Sequence, residues 1–393
     1  MITLEEGRER LLQQLSPLAT ETIPVSGAAG RFLAHDLPAL IDLPSFDNSA
    51  MDGFAVRASD AMPGQRLRVV GKAVAGRGFE GAVGLGTCVR LFTGSPLPAG
   101  ADAVVMQEDT RHAEAGAIEI LEGVRPWENV RFCGEDIRRG SLALVAGSEL
   151  TAQAIGLVSA LGVPLIEVHR SPVVAVVSNG SELVSPGAPL TSAGVYESNG
   201  LMLKSLLERV GCRVLLVPPP VDELPSVVAA LRQGLESADL VISVGGASVG
   251  ELDLVRPAFE ALGGALDFWQ LAMKPGKQFF FGLARGKALL GLPGNPVSAF
   301  VSSVLLVLPA VRRLAGARTA VPAVVRAFLG EPIRNHDRRR HFVRVRTDAA
   351  GRIFPSGSQA SHYIHGLAHA DGLVDMPPGA DWEADQVVPV IRW

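Results

Sequence analysis

The sequence predicts a multidomain protein of α/β and β class: a doubly wound parallel α/β domain flanked by β-rich domains. Three observations carry this. Between Val173 and Pro296, short β-branched runs alternate with helix-length segments, the pattern of a parallel sheet with right-handed crossovers. From Gly64 to Glu149 the runs are short, alternating and punctuated by glycine, as in β-rich domains. After Leu314 the texture turns β-like again. A chain of 393 residues exceeds what one core holds, so roughly two to four domains are expected.

Thr3-Leu4-Glu5-Glu6 fits a capping box, with Thr3 as N-cap, and starts a helix through about Leu15. Leu4, Leu11, Leu12 and Leu15 give that helix one apolar stripe. Pro24 to Pro44 reads as a short helix around Gly27–Ala34 followed by an extended segment. From Leu43 to Arg57 the chain places Asp47, Asn48, Ser49 and Asp52 in an apolar, turn-prone loop. That loop is either a structured turn or a platform presenting Asp52 to a ligand. Leu67–Val70, Thr87–Phe92, Ala103–Met106 and Ala117–Ile120 read as strands. The turns Thr93–Pro98 and Gly134–Ile137 use Gly, Ser, Pro and Asp, which plain turn chemistry explains. Thr151–Leu161 reads as a helix returning to pack beside the first one.

Val173–Val177, Arg213–Val217 and Leu240–Val244 are read as strands of a parallel sheet, the first and last of them buried. Helices are expected over Asn199–Val210, with Leu201, Leu203, Leu206, Leu207 and Val210 inward, over Leu224–Leu235, and from Val297 to about Leu314. The C-terminal strands are Val324–Phe328, His341–Arg346 and Val387–Ile391. Arg338-Arg339-Arg340 reads as a solvated hairpin. His336, His341, His362, His365 and His369 follow no zinc-ligand spacing and read as scattered surface residues.

A net charge of -4 argues against nucleic acid as a partner, since that affinity rests on clustered cations. Cys88, Cys133 and Cys212 form an odd set without CxxC spacing, which suits a reducing cytoplasm. The acidic N-terminus does not resemble a signal peptide. The longest apolar stretch, near Ser298 to Val311, is shorter than the roughly 20 residues a bilayer requires. A cytoplasmic protein with no membrane partner is expected.

Parallel sheets bind ligands beyond the carboxyl ends of their strands. Three polar loops follow such ends and carry Glu182, Asp222 and Asp253 along one edge. Near them lie Gly245-Gly246-Ala247-Ser248-Val249-Gly250, Lys274-Pro275-Gly276-Lys277 and Gly291-Leu292-Pro293-Gly294-Asn295-Pro296. Backbone amides and lysines hold phosphate oxygens, whereas carboxylates hold Mg²⁺ and its water. Each helix N-terminus near Asp253 and after Asn295 adds an anion preference of about 0.3–1 kcal/mol. A phosphorylated substrate with a divalent metal is the chemistry this pattern favours. A GxxxxGK[ST] loop is absent from the sequence, so a P-loop NTPase is excluded.

Phe46–Val56, Phe92-Thr93-Gly94, Gly134–Ile137, Ser178–Leu183, Ser243–Gly250, Lys274–Lys277 and Gly291–Ser298 together resemble the MoeA family of molybdopterin molybdenumtransferases and the E domain of gephyrin. The match runs in order over nearly the whole chain. The resemblance implies an elongated, L-shaped subunit with an α/β domain of molybdopterin-binding type. Its domains would be a discontinuous linker and dimerisation domain (1–44 and 147–170), a β-rich domain (45–146), the α/β domain (171–318) and a β-barrel-like domain (319–393). It implies a homodimer that inserts molybdate into adenylylated molybdopterin with Mg²⁺ and releases AMP. A molybdopterin adenylyltransferase is a candidate partner.

Carried over by position, Glu182, Asp222, Asp253 and Lys274 belong to the α/β side of a shared site. The same three carboxylates are the expected metal ligands. Asp52, Thr93 and Asp136 come from the other subunit. Ser178, Gly180, Gly245, Gly246, Ser248, Gly250, Lys277, Pro293, Gly294 and Asn295 line the substrate site, joined by Arg344 and Ser361 from the C-terminal domain. Three positions depart from the family: Gln270 where a basic residue is frequent, Phe54 for a common tyrosine, and Ser181 for a frequent aspartate. Alternative readings are a molybdopterin adenylyltransferase, a tungstate-specific insertase and a non-catalytic molybdopterin-binding scaffold.

Overall fold

A computed structural model describes residues 1–246 and 254–393. Helix α1 spans Leu4–Gln13, and the Thr3 hydroxyl accepts the Glu6 N–H at its start, as the capping box predicts. Leu4, Leu11 and Leu15 are buried against the C-terminal half of a long helix of the α/β module, among Val304, Leu308 and Leu314. The second helix, α2 (Ala152–Ala160), packs elsewhere: its Val158 joins Val25, Leu150, Val163 and Ile166. The two helices are therefore not neighbours, because each apolar stripe finds a different core. The expected helix around Gly27–Ala34 is a single 3₁₀ turn at Val25–Gly27. Strand β1 (Thr20–Pro24) pairs antiparallel with β2 (Leu165–His169) and ties both ends of this part of the chain together.

The inserted β-rich module is a six-stranded sheet. One of its inner strands, Gly53–Val56, lies between Thr87–Leu91 and Ala103–Met106. It is buried at every position, so it lacks the alternation that marks a half-exposed strand. The polar stretch before it is consequently a structured turn beside a core strand.

The α/β module sheet runs in spatial order Arg213–Val217 (β4), Val173–Ser178 (β3), Leu240–Val244 (β5), Lys287–Leu292 (β9), Phe280–Ala284 (β8) and Ala265–Trp269 (β6). The first four are parallel, and the last two make the far edge antiparallel. The parallel core is as expected, but the whole sheet is mixed. Helices α3 (Asn199–Glu208), α4 (Leu224–Ser237) and α5 (Val255–Ala261) cover it. Leu203, Leu206 and Leu207 face inward, whereas Leu201 is exposed.

Helix α6 spans Pro296–Leu314 and contains a π turn at Ser303–Val307. Its length and composition would let it cross a membrane, yet 89% of that window is buried inside the protein. It is the hub of the largest core, contacting α1, the sheet and Phe342, Leu373 and Ile391 of the C-terminal module. That module is another six-stranded sheet, with Val324–Phe328 (β10) at one edge and Arg340–Thr347 (β11) paired to Gly372–Met376 (β12). Its edge strand is Met273–Lys274 (β7), donated by the α/β module and set parallel to β11, with Lys274 opposite His341. This pairing brings the two modules together at the site.

Candidate active site: two adjoining cavities

Strand β3 ends at Ser178, β4 leads to Asp222 and β5 ends at Val244, just before Gly245, so three strand ends open on one cavity. It has a volume of about 500 Å³ and is lined by Ser178, Gly180, Glu182, Asn199, Asp222, Gly245, Gly246, Gly294 and Asn295 among others. The backbone is tightly packed here. Gly245 sits at φ +79°, and a Cβ on it would lie 2.7 Å from the Asn179 carbonyl oxygen. Only glycine combines that conformation with that approach. The Ser181 N–H donates to Asp222 Oδ2 at 3.1 Å, which joins the two acidic loops. Ser178 Oγ donates to Glu197 Oε1 at 3.0 Å, and the same oxygen accepts the Gly200 N–H at the start of α3. Among the described lining residues there is no Lys, Arg or His, so the cavity presents carboxylates and other oxygens.

The second cavity, about 640 Å³, has the opposite character. Lys274, Lys277 and Arg339 line it together with Ser298, Gln359, Ser361 and His362. Asp337 links its cations: it accepts from Arg339 Nη2 at 3.0 Å and lies 3.6 Å from Lys274 Nζ. The hydrogen bond from Arg339 is the main reason the Asp337 carboxyl falls to about 2, with Lys274 adding to it. Behind the cavity, Arg344 is 1% exposed. Its guanidinium donates to the carbonyls of Ser358 and Ala360, and its backbone is clasped by Gln359. Burial holds that guanidinium down at about 10. Gln278, Pro293 and Asn295 line both cavities, so a single thin wall separates an acidic room from a basic one.

Comparison with known proteins fits this layout. Residues 2–162 match the model for the MoeA N-terminal region (domain I and II), 175–313 the probable molybdopterin binding domain, and 326–393 the MoeA C-terminal region (domain IV). A protein of Haemophilus influenzae named molybdopterin molybdenumtransferase is 38% identical over 383 residues, covering 95% of this chain and 94% of that protein. The chain belongs to the MoeA family. A Staphylococcus aureus protein with the same name is 32% identical, covering 99% of this chain and 95% of its own length. Among solved structures, molybdopterin biosynthesis MoeA proteins of Pyrococcus horikoshii superpose with TM-scores of 0.86 at 26% identity and 0.81 at 30%. The first covers 100% of both chains; the second covers 100% of this chain and 99% of that one.

In this MoeA chain the cavities collect many of the residues singled out in the sequence. Ser178, Gly180, Glu182, Asp222, Gly245, Gly246 and Gly294 line the acidic one, Lys274, Lys277 and Ser361 the basic one, and Pro293 and Asn295 both. Ser248, Gly250 and Asp253 lie outside the described residues. Arg344 supports the 358–360 loop from behind and is not a lining residue. Gln270 lines neither cavity; its N–H donates to the Phe279 carbonyl.

Asp52, Thr93 and Asp136 also line neither cavity of their own subunit. Asp52 Oδ1 accepts both the N–H and the hydroxyl of Thr93, at 2.7 and 2.9 Å. The backbone bond, then the hydroxyl, lowers the Asp52 pKa. Asp136 donates its N–H to the Leu43 carbonyl at 3.0 Å.

The basic run is not a solvated hairpin: Arg339 is bound to Asp337, and Arg340 is paired with Asp375 and Glu5. His341 is buried rather than at the surface. Asn179, Asn199, Gln278, Ser298, Arg339, Gln359 and His362 line the cavities and were not among the site residues expected from the sequence. Asp337-Arg338-Arg339 spacing, a carboxylate two residues before an arginine, was a usable signal for Arg339 alone.

The donor set suits Mg²⁺, a hard cation that takes few carboxylates and keeps several waters. Glu182 and Asp222 share one cavity, although among the described residues no three acidic, His or Cys side chains converge as a metal cluster.

Proposed function

We infer that this chain is a molybdopterin molybdenumtransferase: it inserts molybdate into adenylylated molybdopterin and releases AMP. The observation carrying this reading is the pair of oppositely charged cavities sharing the Pro293–Asn295 wall. The substrate is bipartite, with a phosphoanhydride-linked nucleotide and pterin on one side and a metal oxyanion on the other. Lys274, Lys277 and Arg339 attract and hold the oxyanion, and the hydroxyls of Ser298 and Ser361 orient it. The Arg344 guanidinium keeps the 358–360 loop in place for that contact. Glu182 and Asp222 would hold Mg²⁺, which when bound supplies charge neutralisation at the phosphoanhydride. Lys274, beside the shared wall, stabilises negative charge developing on the cleaved phosphate.

The active unit is a homodimer in which Asp52, Thr93 and Asp136 complete the partner's site. Support comes from their position away from both cavities of their own subunit and from the hydrogen bonds that keep Asp52 ionised. A cytoplasmic location agrees with three cysteines that are all free thiols.

The decisive measurement mixes the protein with adenylylated molybdopterin, molybdate and Mg²⁺ and follows AMP. Release that ignores molybdate, or its absence, overturns the assignment. Chelation with EDTA tests the metal. For the shared site, Asp222→Ala and Asp52→Ala subunits, each inactive alone, regain about a quarter of the activity when mixed at random. Absence of complementation in proven mixed dimers removes that part of the reading.

A further inference from the structure

A carboxylate is built into the cationic wall of the basic cavity. Asp337 is not a lining residue itself, yet it touches two that are, Lys274 and Arg339. Its Oδ1 accepts the Arg339 backbone N–H at 3.0 Å and Nε at 3.2 Å, and its Oδ2 accepts Nη2 at 3.0 Å. This side-on pairing fixes the plane of the guanidinium and leaves Nη1 without a hydrogen bond among the described residues. Lys274 Nζ lies 3.6 Å from the same Oδ2.

The carboxylate is held in place by a buried neighbour, Asn335. Asn335 Oδ1 accepts the Asp337 N–H at 3.1 Å. Its Nδ2 donates to the carbonyls of Arg339, Met376 and Pro377 at 2.9, 3.2 and 2.9 Å. A clamped turn thus sets one negative charge against two cations that arrive from different modules, Lys274 on β7 and Arg339 just before β11.

An oxyanion entering the cavity competes with Asp337 for those two cations. Without the carboxylate the same wall would attract a dianion more strongly. Tighter binding of a ground state lowers KM without raising kcat, and it deepens the well that a transferred group must leave. We propose that Asp337 is a positioning residue that sets the strength of oxyanion binding. It orients Lys274 and Arg339 and offsets part of their charge, so that the oxyanion is held without being trapped. The inference rests on the reading of this cavity as the molybdate site.

Asp337→Asn keeps the size and one acceptor oxygen but removes the charge. Taking a unit charge from beside a dianion in a partly solvated site should tighten molybdate binding about 10-fold. Perrhenate, a tetrahedral oxyanion of similar size with a single charge, feels half that energy and should gain only about 3-fold. A damaged wall would weaken both anions, so an unequal gain is the signature of charge. Asp337→Glu, which keeps the charge, should show neither gain. Calorimetry on the full chain measures the affinities. In the AMP-release assay, Asp337→Asn should lower KM for molybdate while kcat does not rise.

Unchanged or weaker molybdate binding in Asp337→Asn, equal gains for the two anions, the same gains in Asp337→Glu, or no binding of either anion to the wild type at millimolar concentration overturns the proposal. Molybdate-dependent AMP release whose KM is untouched by Asp337→Asn sinks only this inference. The unequal gains without AMP release sink only the catalytic reading.

Discussion

His341 offers a quantitative test of how the basic cavity is built. It sits opposite Lys274 on the strand pair joining the two modules and is 7% exposed. Its Nε2 has no hydrogen-bond partner among the described residues. Burial, then the charges of Lys274 and Arg344, push the imidazole from 6.5 down to about 4, against the pull of Asp337. The unfolded chain therefore binds a proton between those values that the folded protein refuses. Stability is fully present above pH 6.5 and falls as pH drops towards 4. With about 1.36 kcal/mol per pH unit, the loss across the window is about 3 kcal/mol.

His341→Phe removes the titrating group, keeps an aromatic side chain in the strand and should flatten this part of the curve. Urea unfolding of both proteins at half-unit steps from pH 4 to 7.5 gives the difference directly, since other groups titrate alike in the two. Parallel curves, or an NMR titration placing His341 near 6.5 in the folded protein, would refute the reasoning.

Other perturbations have equally direct readouts. Arg344→Lys keeps the charge but loses the planar fork that serves both the Ser358 and Ala360 carbonyls; unfolding should be easier by about 2–3 kcal/mol and molybdate affinity about 10-fold weaker. Unchanged molybdate binding by calorimetry would remove the link between this arginine and the cavity wall. Gly245→Ala forces a Cβ against the Asn179 backbone at a left-handed position and should cost at least about 1–2 kcal/mol, seen as a lower melting temperature. Thr3→Ala removes the cap of α1 and should cost about 1 kcal/mol without altering AMP release. If AMP release falls with it, α1 does more than dock.

The elements legible in the sequence were those governed by local rules. Thr3 and Glu6 marked a helix start, and Val173–Val177 and Leu240–Val244 were almost wholly apolar because both sheet faces are covered there, whereas Arg213–Val217, at the sheet edge, leaves Arg213 and Leu216 exposed. The acidic loops followed from where such strands end. Gly53–Val56 was hidden because a four-residue strand buried on both faces has no period to detect. The antiparallel edge at Ala265–Trp269 and Phe280–Ala284 depends on pairing with β9, a tertiary event. Arg339 was misread for the same reason. Its role arises from Asp337 and from Lys274 of another module, which no local pattern connects. Asn199 looked like the first residue of a helix, which it is, and its hydrogen bond to the Gly294 carbonyl appears only once that turn is beside it.

The partition between the cavities couples their two walls. Gln278, Pro293 and Asn295 form it, and the helix that follows Asn295 is the hub of the largest core. A substitution there cannot adjust one room without altering the other, and it is also felt in α1 and the C-terminal sheet. Substitutions that alter one room alone fall on the outer walls, at residues such as Leu183 or Gln359 that belong to a single cavity.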